Sequence, residues 1–537
     1  MPELSSAEHF GAAPEVKVPR NYNAAFDLIE RNLAAGRAEQ IAFVDDFGSI
    51  TYGELARRVN RFASGLRSIG VEREDRIMLC LLDTIDWPIC FLGAIKAGVI
   101  PVCVNTALTP SDYDYMLRDS RAKVLFVSRA VFPAFDGLHN AIPTLARVVI
   151  SEAPLADGGG DIGALLEAGR DQFDAADTVA DEACFWLYSS GSTGAPKGTV
   201  HCHGSLIQTA ELYGRPLLGI TGRDRMFSAA KLFFAYGLGN ALTFPMSVGA
   251  TALLMAERPT PAAVFARLTG QLPASVEGAR PTVFFGVPTL YASMLADPAM
   301  PAADALALRV CVSAGEALPQ RVGERFTERT GVEILDGIGS TEMLHIFLSS
   351  RRGEVRYGTT GVPVPGYRIR LLDDDGIEVA DGQVGELHVS GPSSAIGYWN
   401  QRDRSRATFL GEWTRSGDKY VRNDDGYYRY AGRSDDMLKV SGQYVSPFEV
   451  ESALASHPSV LEAAVVGCAD DDRLIKPKAY VVPRPGVTAD PALASALQDH
   501  VKTVLAPFKY PRWIVFVAEL PKTATGKIQR FKLRESN

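Results

Sequence analysis

Only seven cysteines occur in 537 residues, at Cys80, Cys90, Cys103, Cys184, Cys202, Cys311 and Cys468. Their number is odd and none are spaced C-x-x-C, which excludes a disulfide framework and fits reduced thiols in apolar runs. Positive charge is also in deficit, with 55 Lys and Arg against 63 Asp and Glu for a net charge of -8. No global attraction to nucleic acid or an anionic membrane follows, so any phosphate binding must be local. No repeat at solenoid or propeller periods is present, and no low-complexity linker divides the chain. Between Met1 and Arg20 there is no apolar core of signal-peptide length, so a cytoplasmic location is expected. One run, 232–256, carries no charge over 25 residues, but Gly237, Gly239, Asn240, Pro245 and Gly249 interrupt it. A buried helix, turn and strand is expected there rather than a membrane span.

What is present is the composition of a large folded protein, 46% hydrophobic and 22% charged. Apolar strand-like runs at 77–82, 99–104 and 122–127 alternate with helical patterns at 87–97 and after Pro110. Such alternation predicts parallel sheets covered by helices. After about Gly358 the texture changes to short strands between Gly and Asp turns, at 368–372, 385–389 and 427–430, which predicts an antiparallel sheet or small barrel. Beyond Asp435 a compact α+β unit is expected, with helices at 449–455 and 491–505 and strands at 461–466 and 478–482. From Met437 onward there are 13 basic against 10 acidic residues, so this small unit is positive while the whole is negative. That suits an edge facing phosphate.

The strongest local signal is Tyr188-Ser189-Ser190-Gly191-Ser192-Thr193-Gly194-Ala195-Pro196-Lys197-Gly198, directly after the apolar run 183–187. Glycines and small hydroxyl residues let backbone N–H and side-chain O–H groups converge on phosphate oxygens, and a lysine adds charge. It is not a Walker A loop, because Lys197 is followed by Gly198 rather than Ser or Thr. Four further strings follow in order: Ile334-Leu335-Asp336-Gly337-Ile338-Gly339-Ser340-Thr341-Glu342, Thr414-Arg415-Ser416-Gly417-Asp418, Gly432-Arg433-Ser434-Asp435-Asp436-Met437-Leu438-Lys439-Val440-Ser441-Gly442, and Pro521-Lys522-Thr523-Ala524-Thr525-Gly526-Lys527. Glu342 is a hard oxygen donor suited to Mg²⁺, and Asp418 can accept hydrogen bonds from both ribose hydroxyls. His201 and His203 form an H-x-H pair, but no third ligand lies nearby in sequence and a zinc site needs three or four, so the metal reading is set aside.

The five strings together resemble the adenylate-forming superfamily of acyl-CoA synthetases, amino-acid adenylation domains and luciferases, over residues of about 40 to 535. The resemblance implies an α/β fold: a large N-terminal domain, 1–434, of two stacked α/β subdomains plus a small β-barrel-like subdomain, then a small mobile α+β C-terminal domain, 435–537. It implies ATP and coenzyme A as substrates with Mg²⁺ held by Glu342, and catalytic roles for Lys527, Glu342, Thr193 and Lys197. Nucleotide binding falls to Ser189, Ser190, Gly191, Ser192, Thr193, Gly194 and Lys197, to the wall Ala314, Gly315 and Glu316, to Asp336, Gly337, Ile338, Ser340 and Thr341, and to Asp418 and Arg433. The hinge falls on Asp435, and Lys439, Ser441, Gly442, Gln443 and Tyr444 are expected along the CoA channel.

The acid is read from Phe234, Ala235, Tyr236 and Gly237 with Gly315, Gly337, Ile338, Gly339, His345 and Ile346. Many relatives place His where this chain has Phe234, and amino-acid activating relatives place Asp where it has Ala235, which disfavours an ammonium-bearing substrate. The string resembles the benzoate-activating CoA ligases and their hydroxy- and aminobenzoate relatives. The alternatives are a hydroxybenzoate- or aminobenzoate-CoA ligase, or an aryl acid-AMP ligase loading a carrier protein. The expected partners are small molecules, not nucleic acid or membrane, and a lysine acetyltransferase or deacetylase acting on Lys527; a monomer or homodimer is expected.

Overall fold

The computed structural model describes residues 2–11, 13–138, 141–153, 160–191, 194–271, 280–433, 437–440, 443–470, 474–506, 509–522 and 528–535. Two compact units emerge, one of Met1–Ile369 with Val389–Arg415, the other of Arg370–His388 with Ser416–Asn537. Asp435, the expected hinge, lies outside the described residues.

In the first unit, apolar runs of four or five residues form the centres of two sheets. One has seven strands in the order Gly397–Tyr398, Gly194–Cys202, Ala183–Gly191, Ile100–Cys103, Arg76–Cys80, Val124–Ser128 and Arg147–Ser151. Its last five strands run parallel, and the hairpin Ala183–Gly191/Gly194–Cys202 turns back antiparallel at one side. The helices Asp86–Lys96 and Pro110–Ser120 are the crossovers anticipated from the sequence, and Thr109 starts the second with a reciprocal capping box to Asp112. The other sheet has nine strands: Val362–Pro363, Ile346–Ser349, Ile334–Gly339, Val310–Ser313, Val283–Gly286, Arg225–Ser228, Thr251–Leu253, Ile41–Val44 and Ser49–Thr51. Its six central strands, from Ile334–Gly339 to Ile41–Val44, are parallel. Residues buried on both faces of such a sheet read as continuous apolar runs, as Val283–Gly286 and Val310–Ser313 do.

The uncharged run 232–256 becomes helix Ala235–Leu238, a π-helical turn Gly239–Thr243, helix Phe244–Val248, a left-handed Gly249 and strand Thr251–Leu253. Among the described residues no helix is long and apolar enough to cross a membrane. The seven cysteines are all free. The antiparallel texture expected past Gly358 is present as strands Arg368–Leu372, Val384–Ser390, Trp413–Arg422 and Tyr428–Arg433.

In the second unit, strand Ile475–Pro483 pairs antiparallel with Val460–Ala469 and parallel with Trp513–Phe516. Helices Pro447–Ala455 and Pro491–Val504 contribute Val450, Leu454, Leu497 and Val501 to one core with Val465, Ala479 and Val481. Both helices start with proline behind a capping side chain, Ser446 and Asp490, which satisfies an otherwise orphaned N–H.

Candidate active site

The hydroxyl- and glycine-rich string folds as the end of the antiparallel hairpin Ala183–Gly191/Gly194–Cys202. Ser189 and Ser190 lie near the end of the first strand, which closes at Gly191, and Lys197 pairs opposite Ser189, with the register broken between Gly194 and Lys197. Ser192 and Thr193, between the two strands in sequence, lie outside the described residues. The Ser189 hydroxyl is buried and makes no hydrogen bond within the protein. The Tyr188 hydroxyl donates to Asp119 at 2.6 Å, tying the base of the hairpin to the neighbouring helix.

Lys197 faces Glu342. Its Nζ lies 3.1 Å from Glu342 Oε1 and 2.8 Å from the Tyr398 hydroxyl, and that hydroxyl donates to the same Oε1 at 2.7 Å. Burial by itself would push the Glu342 carboxyl up, but the Lys197 ammonium and the Tyr398 hydroxyl together hold it below the usual carboxylate range. A carboxylate kept ionised in a partly closed site is the donor that a hard cation requires. Tyr398 was not anticipated: it arrives on the short strand Gly397–Tyr398, paired to Thr199 and Val200, and sits 56 residues past Glu342. No spacing within the motif points to it.

The peptide carrying Glu342 is held from two sides. His201 donates from Nε2 to the Thr341 carbonyl at 2.8 Å, and the Ala395 N–H donates to the Glu342 carbonyl at 2.8 Å. Ser393 caps the next carbonyl, that of Met343, at 2.7 Å. Burial drives the His201 imidazole down to about 4, so it is neutral, and it stacks on Phe185 at 5.2 Å. His203 is separately buried, accepting from the Ala24 N–H at Nδ1. No group of three or more His, Cys, Asp or Glu arranged for a metal occurs among the described residues.

Asp336 lies in strand Ile334–Gly339, between strands Val310–Ser313 and Ile346–Ser349. Its carboxyl is buried, which raises it well above the usual range, and Oδ1 makes no hydrogen bond within the protein. Gly315 follows strand Val310–Ser313 with φ +94, a conformation that favours glycine, and a Cβ there would meet only Val287 at 3.9 Å.

Beside these elements, His345 sits among Tyr213, Tyr236 and Phe244, with ring centroids 5.4, 5.6 and 4.5 Å away. Its Nε2 donates to Asn240 Oδ1 at 3.1 Å, and burial drives the imidazole down to about 3. The Tyr236 hydroxyl donates to the carbonyls of Val312 and Gly286 at 3.2 and 3.3 Å, which fixes its ring between two sheet strands. Glycine is forced here by close approach: a Cβ on Gly239 would lie 2.4 Å from His345 Cδ2, and one on Gly337 2.9 Å from Ile346. Ala235 is buried at the start of the helix, and Phe234 packs on Phe233 with centroids 4.5 Å apart. The segment before it is pinned by Asp83, whose carboxylate accepts the Leu232 N–H at 3.2 Å. Burial raises that carboxyl to about 6 against the attraction of Lys231. Neither Asp83 nor Asn240 stands out in the sequence as a site residue.

In the second unit, Asp418 and Arg433 are cross-strand partners, and Arg433 Nη1 donates to Asp418 Oδ1 at 3.0 Å. Gly417 has φ +75, and a Cβ on it would approach Arg433 Nη2 to 3.0 Å. Lys439, Gln443 and Tyr444 fall in the hairpin Leu438–Val440/Gln443–Val445, while Ser441 and Gly442 lie outside the described residues. Lys527 lies outside them too; the flanking Lys522 and Ile528 form an isolated antiparallel bridge. Beyond it Arg530 clamps Glu451 at 2.7 and 2.9 Å.

Residues 30–399 match the family model described as AMP-binding enzyme, and residues 449–527 that described as AMP-binding enzyme C-terminal domain. The chain is 62% identical over 537 residues to the benzoate–CoA ligase of Thauera aromatica, covering 99% of each. It is 51% identical to the 4-hydroxybenzoate–CoA/benzoate–CoA ligase of Rhodopseudomonas palustris, covering 96% of this chain and 94% of that one. Among solved structures, a benzoate CoA ligase from Burkholderia xenovorans LB400 superposes with a TM-score of 0.87 at 56% identity, over 96% of this chain and 100% of that one.

Proposed function

This chain belongs to the AMP-binding enzyme family, and from that membership we infer that it is a benzoate–CoA ligase. The observation that carries the choice of acid is the ring-lined cluster of Tyr213, Tyr236, Phe244 and His345 beside Ala235. Such walls suit a small flat aryl group, and no side chain at Ala235 can pair an ammonium.

The reaction runs in two steps. A benzoate carboxylate oxygen bonds to the α-phosphorus of ATP while the bond to the β-phosphate bridging oxygen breaks, and pyrophosphate leaves. The CoA thiolate then attacks the acyl carbon, the bond to the phosphate oxygen breaks, and AMP leaves. Charge moves onto the departing pyrophosphate in the first step, and stabilising it is the main task of the protein. Lys197, paired opposite Ser189 on the phosphate-loop hairpin, would supply positive charge for this. In the free enzyme its ammonium is matched by Glu342. Glu342, held ionised, is the residue that would hold Mg²⁺, which when bound neutralises phosphate charge. Asp418 binds the ribose hydroxyls, with Arg433 holding its Oδ1. Lys527 delivers a second positive charge to the reacting oxygens, and acetylation there would remove that charge. The hinge at Asp435 lets the small domain, 435–537, serve both steps, with 439–444 along the thiol channel. Seven free thiols and a need for ATP support a cytoplasmic location, and a monomer or homodimer is part of the same proposal.

Pyrophosphate exchange with benzoate, hydroxybenzoates, aminobenzoates and short fatty acids tests this reading. Benzoate is expected to give the highest exchange rate, with CoA-dependent AMP release. Release of ADP, or a preference for a fatty acid, would overturn it.

A further inference from the structure

Lys197 and His201 lie four residues apart on strand Gly194–Cys202, with the register unbroken between them, so both project from the same face. Lys197 reaches the Glu342 carboxylate, and His201 reaches the carbonyl of the residue before it. The strand therefore grips one short turn at two points. The His201 ring is fully buried and stacked at 18° on Phe185, leaving little freedom to swing away. A carbonyl can only accept, so His201 carries its proton on Nε2; Nδ1 has no hydrogen-bond partner. The Ala395 N–H holds the following carbonyl, so both peptide oxygens flanking the Glu342 Cα are tied down.

We propose that His201 is a positioning residue for adenylate formation: its Nε2–H fixes the Thr341–Glu342 peptide and thereby aims the Glu342 carboxylate at the cation accompanying ATP. The role rests on the reading of Glu342 given above. Outer-shell groups of this kind orient a ligand without touching the cation.

The test uses the full chain with His201→Phe, which keeps the ring stack but removes the donor, and His201→Gln, which restores an N–H donor at similar reach. Calorimetry measures binding of Mg–ATP and, in EDTA, of ATP alone; the two half-reactions are assayed by benzoate-dependent pyrophosphate exchange and by conversion of supplied benzoyl-AMP to benzoyl-CoA. The Phe variant is expected to bind Mg–ATP roughly 10-fold more weakly and to exchange pyrophosphate roughly 10- to 100-fold more slowly. ATP binding in EDTA and the thioester step should stay within about twofold of wild type, and Gln should recover most of the loss. Unchanged Mg–ATP binding in the Phe variant overturns the proposal. So does equal loss of both half-reactions with no rescue by Gln, which marks a packing role. If the Phe variant does not fold, His201→Met supplies the donor-free comparison. A wild-type chain with no benzoate-dependent exchange overturns the ligase reading instead, and Mg–ATP binding then still decides the role of His201.

Discussion

Lys197 Nζ stands 3.1 Å from Glu342 Oε1, joining a strand of the seven-stranded sheet to the turn between strands Ile334–Gly339 and Ile346–Ser349 of the nine-stranded one. The pair neutralises itself in the free enzyme, and Tyr398 donates to the same oxygen. Removing the lysine leaves Glu342 without its cation and the leaving pyrophosphate without a fixed charge. Lys197→Met is expected to slow pyrophosphate exchange by about 10²- to 10³-fold, the usual loss for one charge-stabilising donor. Tyr398→Phe removes a single hydrogen bond to Glu342 and should raise the KM for ATP by roughly tenfold, leaving conversion of benzoyl-AMP intact. A Tyr398→Phe enzyme with wild-type ATP kinetics would show that the hydroxyl does not hold Glu342 for the nucleotide.

Asp418 is buried, and Arg433 Nη1 donates to its Oδ1 at 3.0 Å. Asp418→Asn keeps the shape but loses the charge-assisted acceptor, so binding of ATP and of benzoyl-AMP should weaken together, by roughly 10-fold, because both carry the same ribose. Isothermal titration with AMP separates this from a phosphate effect. Undiminished AMP binding would exclude the ribose role.

Lys527 belongs to the first step alone in this scheme. Lys527→Ala is expected to abolish adenylate formation while sparing thioester formation from supplied benzoyl-AMP, as single-turnover assays of each half-reaction would show. Equal loss of both would contradict the division of labour. Quantitative acetylation at Lys527 should reproduce the alanine phenotype.

Much of this was readable from local sequence. The crossovers 87–97 and after Pro110 appear as helices Asp86–Lys96 and Pro110–Ser120, because strand-like runs with helical spacing between them allow little else. Lys197 and Glu342, which the fold brings together, could each be singled out because each lies in a string whose chemistry is local. Tyr398, Asn240 and Asp83 were not, because each acts through contacts more than 50 residues away that only the folded register creates. His201 was visible only as half of an H-x-H pair whose metal reading the sequence already disfavours; its partner, the Thr341 carbonyl, lies 140 residues away and only the fold supplies it.

The proposed acyl pocket can be tested at Gly239. A Cβ at Gly239 would fall 2.4 Å from the His345 ring, which is itself tied to Asn240 and packed on Phe244. The ring cannot yield outward, so Gly239→Ala should drive it into the space for the substrate. The KM for benzoate is expected to rise roughly 10-fold or more, with the KM for ATP unchanged, since a misfit of about one methyl is worth ~1–3 kcal/mol. A parallel rise in both constants would indicate general disruption.

Buried histidines set the acid limit of the fold. Burial, aided by the nearby Arg73 charge, drives His203 from 6.5 down to about 3. The unfolded chain then binds its proton more readily than the folded one, so the stabilisation is full above pH 6.5 and is lost as pH falls toward 3. Between pH 7 and 5 the loss from this one residue is about 2 kcal/mol. His203→Asn keeps an acceptor for the Ala24 N–H but cannot titrate. Urea unfolding of both proteins at pH 7 and pH 5 should therefore show wild type losing about 2 kcal/mol more than the variant, the difference arising from this residue. An equal loss in the two would mean that His203 takes up its proton as readily in the folded protein as in the unfolded chain, contrary to its burial at the Ala24 amide.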